Sequence, residues 1–399
     1  MKSEKSPMVS NAAWRSRTIR IFRLATRSSA LRSKKSPARC SNLRSEPGAG
    51  FPGGRRHAGL AVGFAGLLAL YLGGFGGLKA PARSESLSQP EPQHSEAISV
   101  IATPLPEPVS LPPAFHWVGG LALSAKDPRL GGVSGLGVGL APSGVEYGVR
   151  LLAVTDNGDL LTGDLLLNWE NDLRLDGLAG NSLRLHPIRD QRTGLPARQS
   201  ESLTHWRGQL ALGFEQRHRV GMMDGAGLIT DLPVPIALRG LGRSNAGVEA
   251  LATLPDGQLF AVSEGVQREG GLRAWVHTAG RQDWPVLVYE WDEEFAPTGA
   301  DVSPDGRWLV LSERRFLSMR EPLSNRLVRV PVAAIEAGAR LKPEIILDLD
   351  PILGAIANVE SVSLMATDEP GTFLIFLATD NNFIGLLPTM LAVLLWHSD

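Results

Sequence analysis

The sequence predicts an all-β chain closed into a β-propeller of five, at most six, four-stranded blades, with one apolar segment ahead of it. Three observations carry this. A small or acidic residue opens an apolar run, a turn follows, and a second apolar run ends on a carboxylate, five times between residues 134 and 383. The repeat starts, Ser134, Glu201, Glu249, Asp301 and Glu360, are spaced by 67, 48, 52 and 59 residues, too long for a solenoid and right for blades with variable loops. The apolar runs are of strand length, such as Leu151-Leu152-Ala153-Val154 and Phe373-Leu374-Ile375-Phe376-Leu377, and convincing amphipathic helices are missing.

Ahead of the repeats the chain divides by composition. Residues 1–56 hold fourteen Lys and Arg against two acids, Glu4 and Glu46, whereas the remainder holds 26 basic and 39 acidic residues. An acidic body of this kind repels nucleic acid and attracts cations. From His57 to Leu78 no charge appears, long enough to cross a bilayer as helix. Arg55 and Arg56 precede it, which orients the basic tail to the cytoplasm and the body outside. Ala80-Pro81-Ala82 suits signal-peptidase cleavage, so residues 57–78 read either as a retained transmembrane anchor or as a signal segment. The Arg- and Ser-rich tail is also similar in composition to a mitochondrial transit peptide, and a start downstream of it explains the sequence equally well. Residues 79–113 read as a flexible linker rich in Pro, Ser and Glu. Residues 114–399 form the folded body.

The one cysteine, Cys40, lies in the tail, so the body has neither disulfides nor cysteine-based zinc. Within the body Val248–Leu254, Pro255-Asp256-Gly257 and Gln258–Glu264 are the clearest copy of the repeat, and Pro304-Asp305-Gly306 marks a second tight hairpin. The fifth repeat has only three strands before the chain ends, the last being Met390–Trp396; Phe115–Leu123 is the strand that completes it and joins the ends of the ring. The poorly patterned stretch 157–200 is where a sixth blade would lie, and a two-sheet sandwich is the weaker alternative.

A ring brings strand ends together near its axis. Asp156, Glu201, Glu215, Glu249, Glu264, Asp301, Glu313, Glu360 and Asp380 are then expected to converge. Crowded carboxylates raise one another's proton affinity unless cations neutralise them, and hard oxygen donors suit Ca²⁺ or Mg²⁺. The competing expectation, of equal weight, is that such carboxylates lock neighbouring blades by accepting backbone hydrogen bonds. Basic residues follow two of them: Arg314 and Arg315 after Glu313, Arg217 and Arg219 after Glu215. Strand alternation puts Arg315, not Arg314, on the face of Glu313. No Gly-x-Ser-x-Gly elbow, His-Glu-x-x-His, phosphate loop or dinucleotide fingerprint occurs.

Several segments together resemble the phytase-like β-propeller family named for the esterase-like activity of phytase. They are Gly132–Leu136, Ala153–Gly158, Glu201-Ser202-Leu203, Asn245–Leu251, Leu311–Phe316, Asn358–Ser361 and Thr379–Phe383, spread over about residues 115–397. Glu201 and Glu360 are each followed by serine where the family more often has glycine. The resemblance implies an exported or membrane-anchored propeller with hydrolase activity. No pocket lined by Lys and Arg for the six phosphates of phytate is legible.

The expectation is therefore a metal-dependent hydrolase of ester or phosphoester bonds. Glu249, Glu313 and Arg315 are the expected catalytic residues; Asp156, Glu201, Glu264, Glu360 and Asp380 are expected to hold a divalent cation, Ca²⁺ before others. A monomer at the cell envelope acting on a small-molecule ester or phosphoester is expected, with no nucleic-acid partner and with the membrane as a contact if the N-terminal segment is retained. The alternative, from another class, is a non-catalytic propeller whose acidic ring is structural.

Overall fold

The computed structural model describes residues 94–141, 148–169, 172–239, 247–267, 270–291, 294–316, 323–354, 356–383 and 389–398. The basic tail and the apolar segment 57–78 lie outside the described residues. No helix among the described residues is long and apolar enough to cross a membrane.

Five sheets succeed one another along the chain, each built on a four-stranded antiparallel meander; those of blades 2 and 3 add a short parallel strand at the outer edge, Arg189–Asp190 and Arg340–Leu341. Blade 1 runs through Val133–Leu140, Gly148–Thr155, Asp159–Asn168 and Ser182–Pro187; blade 2 through Ser200–Trp206, Gln209–Phe214, Arg219–Met223 and Leu228–Asp231. Blade 3 comprises Val248–Thr253, Leu259–Gln267, Gly271–His277 and Val286–Glu290; blade 4 comprises Phe295–Val302, Trp308–Arg315, Ser324–Pro331 and Glu344–Asp348. Blade 5 takes Val359–Ala366, Thr372–Thr379 and Thr389–His397 from the C-terminus and Phe115–Ser124 from the N-terminus. That closure matches the sequence expectation: Trp396 pairs with Phe115 and Thr389 with Leu123, leaving no open edge between the ends.

The count is five. The stretch 157–200 builds no sixth blade; it supplies the outer half of blade 1, with Arg174–Leu178 as an extra strand, and opens blade 2. The two proline-led hairpins are present, with Gly257 at φ 80 and Gly306 at φ 74, the left-handed turn positions that glycine fills without strain.

The apolar core is divided among the seams. Five clusters of buried residues each fill the gap between two neighbouring blades. Strand alternation explains this. In blade 1, Leu151 and Ala153 pack against Leu374 and Phe376 of blade 5, while Leu152 and Val154 pack against Leu210 and Leu212 of blade 2. A middle strand is thus apolar on both faces, which is why Thr372–Thr379 is buried along its whole length. Small residues let the blades approach: a Cβ on Gly299 would lie 2.8 Å from Ser361 Cα, and one on Gly135 would lie 2.7 Å from the Leu203 nitrogen.

Candidate functional site

The innermost strand of every blade carries a β-bulge at the same place. The pairing register shifts between Val133 and Gly135, Ser200 and Ser202, Val248 and Ala250, Pro297 and Gly299, and Val359 and Ser361. The extra residue of each bulge is therefore Ser134, Glu201, Glu249, Thr298 and Glu360. A bulge re-aims its extra side chain away from the regular alternation. On the second strand, the residue one beyond the partner of the bulge is Asp156, Glu215, Glu264, Arg314 and Asp380 in turn. The backbone repeats too: Asp156 N–H donates to Gly132 O at 2.9 Å, Asp380 N–H to Asn358 O at 2.9 Å, and Glu215 N–H to Gln199 O at 3.1 Å.

These ten equivalent positions form one polar ring. Inner strands of non-adjacent blades approach across the axis. Glu249 of blade 3 feels both Glu201 of blade 2 and Glu360 of blade 5, and Asp156 of blade 1 feels Asp380 of blade 5. Four blades contribute carboxylates, whereas blade 4 contributes Thr298 and Arg314. Arg314 donates to Asn358 Oδ1 at 2.7 Å and to Glu360 Oε1, and its other arm lies 3.6 Å from Glu264. Asn358 also donates to Glu360 Oε1 at 2.7 Å. Ser134 donates to Asp156 Oδ1 at 2.9 Å, and Asn382 N–H to Asp380 Oδ1 at 2.8 Å. Glu249 is only 7% exposed and its Oε1 has no hydrogen-bond partner.

Burial and mutual repulsion both favour the neutral acids. Burial first, then Asp380, pushes the Asp156 carboxyl up to about 6. Burial, then Glu264 and Asp156, pushes Glu215 up to about 7. Glu360 rises to about 7 because burial outweighs the pull of Arg314. Glu201 and Glu249 rise well above the ordinary range through burial, reinforced by neighbouring carboxylates. Glu264 and Asp380 also rise, again through burial. For Arg314 burial opposes the charge, but Glu360, Glu264, Glu249 and Asp380 outweigh it and strengthen its hold on the proton.

Asp156, Glu201, Glu215, Glu249, Glu264, Glu360 and Asp380 thus meet as expected. Three expected members do not. Glu313 sits one residue before the ring position and faces blade 3, its Oε1 accepting from Tyr289 of that blade at 2.6 Å and its Oε2 from Arg326 of its own blade at 2.6 Å. Arg315 shares that face and turns outward to Glu294 at 3.0 Å and Ser324 at 3.0 Å. Asp301 locks blades 4 and 5, its Oδ2 accepting from Leu364 N–H at 2.8 Å and Ser363 Oγ at 3.0 Å. The alternation of Arg314 against Glu313 and Arg315 is as expected, but the face that reaches the axis is that of Arg314. Arg219 likewise stays in blade 2, bound to Asp190 at 2.5 Å and Asp231 at 2.9 Å. Arg314 and Thr298 are the ring residues that sequence reasoning missed, and Asn358 is a partner of Arg314 and Glu360 beside the ring; aligning the repeats on their hairpins rather than on the nearest acid would have found the first two.

The donor set is carboxylate oxygen throughout, which suits a hard divalent cation, and the unpartnered Oε1 of Glu249 leaves an acceptor unfilled. No three Asp, Glu, His or Cys side chains among the described residues are already arranged to hold a metal ion. Cation binding in the ring therefore requires side chains to turn inward.

Among solved structures, the PQQ-bound aldose sugar dehydrogenase of Streptomyces coelicolor is 14% identical with a TM-score of 0.32, over 76% of this chain and 99% of that one. A protein of unknown function from Dyadobacter fermentans is 12% identical with a TM-score of 0.37, over 76% and 99%. The GH74 enzyme of Niastella koreensis is 11% identical with a TM-score of 0.33, over 69% and 50%. Likenesses this distant say nothing of this chain's chemistry. No curated protein matches. The family described as "Phytase-like: Esterase-like activity of phytase" matches residues 128–383, nearly two thirds of the chain and four and a half of its five blades. The chain belongs to the phytase-like family.

Proposed function

We propose that this protein is an exported or membrane-anchored hydrolase of small-molecule ester or phosphoester bonds, working at the axial ring with a divalent cation, Ca²⁺ before others. The observation that carries the reading is the meeting of seven carboxylates and one guanidinium at equivalent positions of all five blades. The family description, an esterase-like activity, agrees with it. Anchoring or export rests on the uncharged run 57–78 behind Arg55 and Arg56. The acidic body argues against nucleic acid as a partner, and no second chain is required to complete the ring.

A hard divalent cation, when bound, supplies positive charge that draws electrons from the scissile carbonyl or phosphoryl group. The protein's own residues do the rest. Ring carboxylates accept the proton of the attacking water, and Arg314, rather than the Arg315 expected from sequence to be catalytic, offers its remaining N–H groups to the negative charge that develops on oxygen. Thr298 has no such part: its hydroxyl is committed to Val359 O at 2.8 Å across the blade 4–5 seam.

The test is hydrolysis by the purified full chain of p-nitrophenyl acetate and p-nitrophenyl phosphate, with Ca²⁺ and with chelator. Turnover that chelator abolishes and Ca²⁺ restores supports the reading. Background rates in every sample would leave the second reading, a binding propeller, which the purely structural use of Asp301 and Glu313 favours.

A further inference from the structure

At the end of the inner strands opposite the ring, the seam between blades 2 and 3 opens into a cleft of about 410 Å³, lined by Trp206, Arg207, Met222, Leu232, His277 and Arg281 among others. Sites for small molecules fall in the range of about 300–1,000 Å³. Glu201 and Trp206 stand near opposite ends of one strand, Ser200–Trp206, so cleft and ring are roughly 15 Å apart along it. The folded body is rich in acids, yet among the described residues no acidic side chain lines this cleft and two arginines do. Arg281 already holds Asp283 through Nε and Nη2, both at 2.8 Å, which leaves Nη1 to donate elsewhere. Arg207 has no carboxylate partner among the described residues, and its guanidinium lies 6.0 Å from the centroid of the Trp206 ring. It stands first in the two-residue turn joining Trp206 to Gln209, at φ 53, a conformation that Asn or Gly takes more easily. Behind the arginines His277, 2% exposed, stacks on Trp284 at 4.4 Å and leans on Trp206 at 5.6 Å. Burial, against the pull of Asp283, holds its proton affinity below the ordinary value, and its Nδ1 has no hydrogen-bond partner.

We infer that this cleft binds a small organic carboxylate with an apolar body, at a site separate from the ring and independent of whether the ring hydrolyses anything. The cleft presents the reverse pattern to such a ligand. Arg207 and the free arm of Arg281 offer N–H groups, and a guanidinium matches the two oxygens of a carboxylate. Met222 and Leu232, both half-buried, form an apolar wall for a hydrocarbon body. Buried polar atoms are ordinarily satisfied, so the unpartnered nitrogen of His277 is a second, independent sign of a place left for a ligand. The nearby acids do not compete for the cations. Asp283 is spent on Arg281, and Asp231 on Arg219 at 2.9 Å. A phosphate ion meets the charge but leaves the apolar wall unused, which is why the carboxylate with a hydrocarbon body fits better.

The experiment is NMR titration of the full chain at pH 7.5, carrying ¹³C on the methionine methyls, with M222L used to assign the Met222 signal. Sodium hexanoate is the probe; hexanamide, sodium acetate and inorganic phosphate are run beside it. Hexanoate should move the Met222 methyl saturably. Hexanamide, which lacks the charge, and acetate, which lacks the body, should each bind at least about tenfold more weakly. R207Q, at an exposed position, should weaken hexanoate about fivefold. R207Q combined with R281Q should abolish the saturable shift, with an intact melting transition in both variants. A Met222 signal that hexanoate does not move would overturn the inference, as would hexanamide or phosphate binding as tightly as hexanoate, or wild-type affinity in the double variant.

Discussion

The Tyr289 hydroxyl of blade 3 donates to Glu313 Oε1 of blade 4 at 2.6 Å, and Arg326 holds the other carboxylate oxygen at the same distance. With Glu313 only 1% exposed, this is a buried lock across a seam. Removing one partner of such a pair leaves an uncompensated charge at a cost of about 3–5 kcal/mol. Glu313→Ala is therefore expected to lower the free energy of unfolding by that much while leaving Ca²⁺ affinity at 25 °C unchanged. Loss of cation binding without loss of stability would return Glu313 to the site.

Closure of the ring concentrates on Trp396, which is 2% exposed, stacks on Phe115 at 6.3 Å and leans on Phe373 at 5.9 Å. Its truncation to Ala removes contacts to both the N-terminal strand and the neighbour within blade 5. A loss of about 3–5 kcal/mol is expected in urea unfolding, as for other buried aromatic residues. A cost under 1 kcal/mol would mean that the seam between the chain ends contributes little.

Gly299 follows the bulge of blade 4 and lies against the Ser361 backbone. Gly299→Ala would bring its methyl within 2.8 Å of Ser361 Cα and 2.9 Å of Ser312 Oγ. Overpacking of this kind costs about 1–3 kcal/mol. The same change at Gly280, which has open space around it but φ 80, is an exposed-turn control limited to backbone strain. Thermal melts of the two variants distinguish seam packing from turn strain.

The pH response follows from burial. The Asp301 carboxyl is pushed up to about 6, burial outweighing its three hydrogen bonds, against 3.8 ordinarily. Between those values the folded chain holds a proton that the unfolded chain has lost. Stability from this group is therefore full at about pH 4, falls as pH rises towards about 6, and is flat above. In chelator, Asp156, Glu215 and Glu360 act with the same sign up to about pH 7. Melting temperatures at pH 4.5, 6.0 and 7.5 should thus decline for the metal-free wild type, and decline less for Asp301→Asn. Identical slopes would refute the assignment of Asp301.

Much of this was legible in the sequence because it depends on local pattern. Apolar runs, proline-led hairpins and a blade short of one strand were enough to place Phe115–Ser124 beside Thr389–His397. Six of the eight site residues named from sequence, Asp156, Glu201, Glu249, Glu264, Glu360 and Asp380, stand in the ring. Glu313 and Arg315 do not, because they flank Arg314 on the second strand and alternation turns both away from the face that Arg314 presents to the ring. The eye then aligns blade 4 on its nearest acids, Asp301 and Glu313, and passes over the residues that face the axis. Arg314 breaks the carboxylate pattern, so a search for repeated acids overlooks the position where the sign changes.

The most direct test is the anomalous signal of crystals grown with Ca²⁺. The account predicts a peak on the propeller axis about 2.3–2.6 Å from oxygens of the ring carboxylates. A structure with Glu249 still unpartnered, and Ca²⁺ found only on the outer surface, would contradict it.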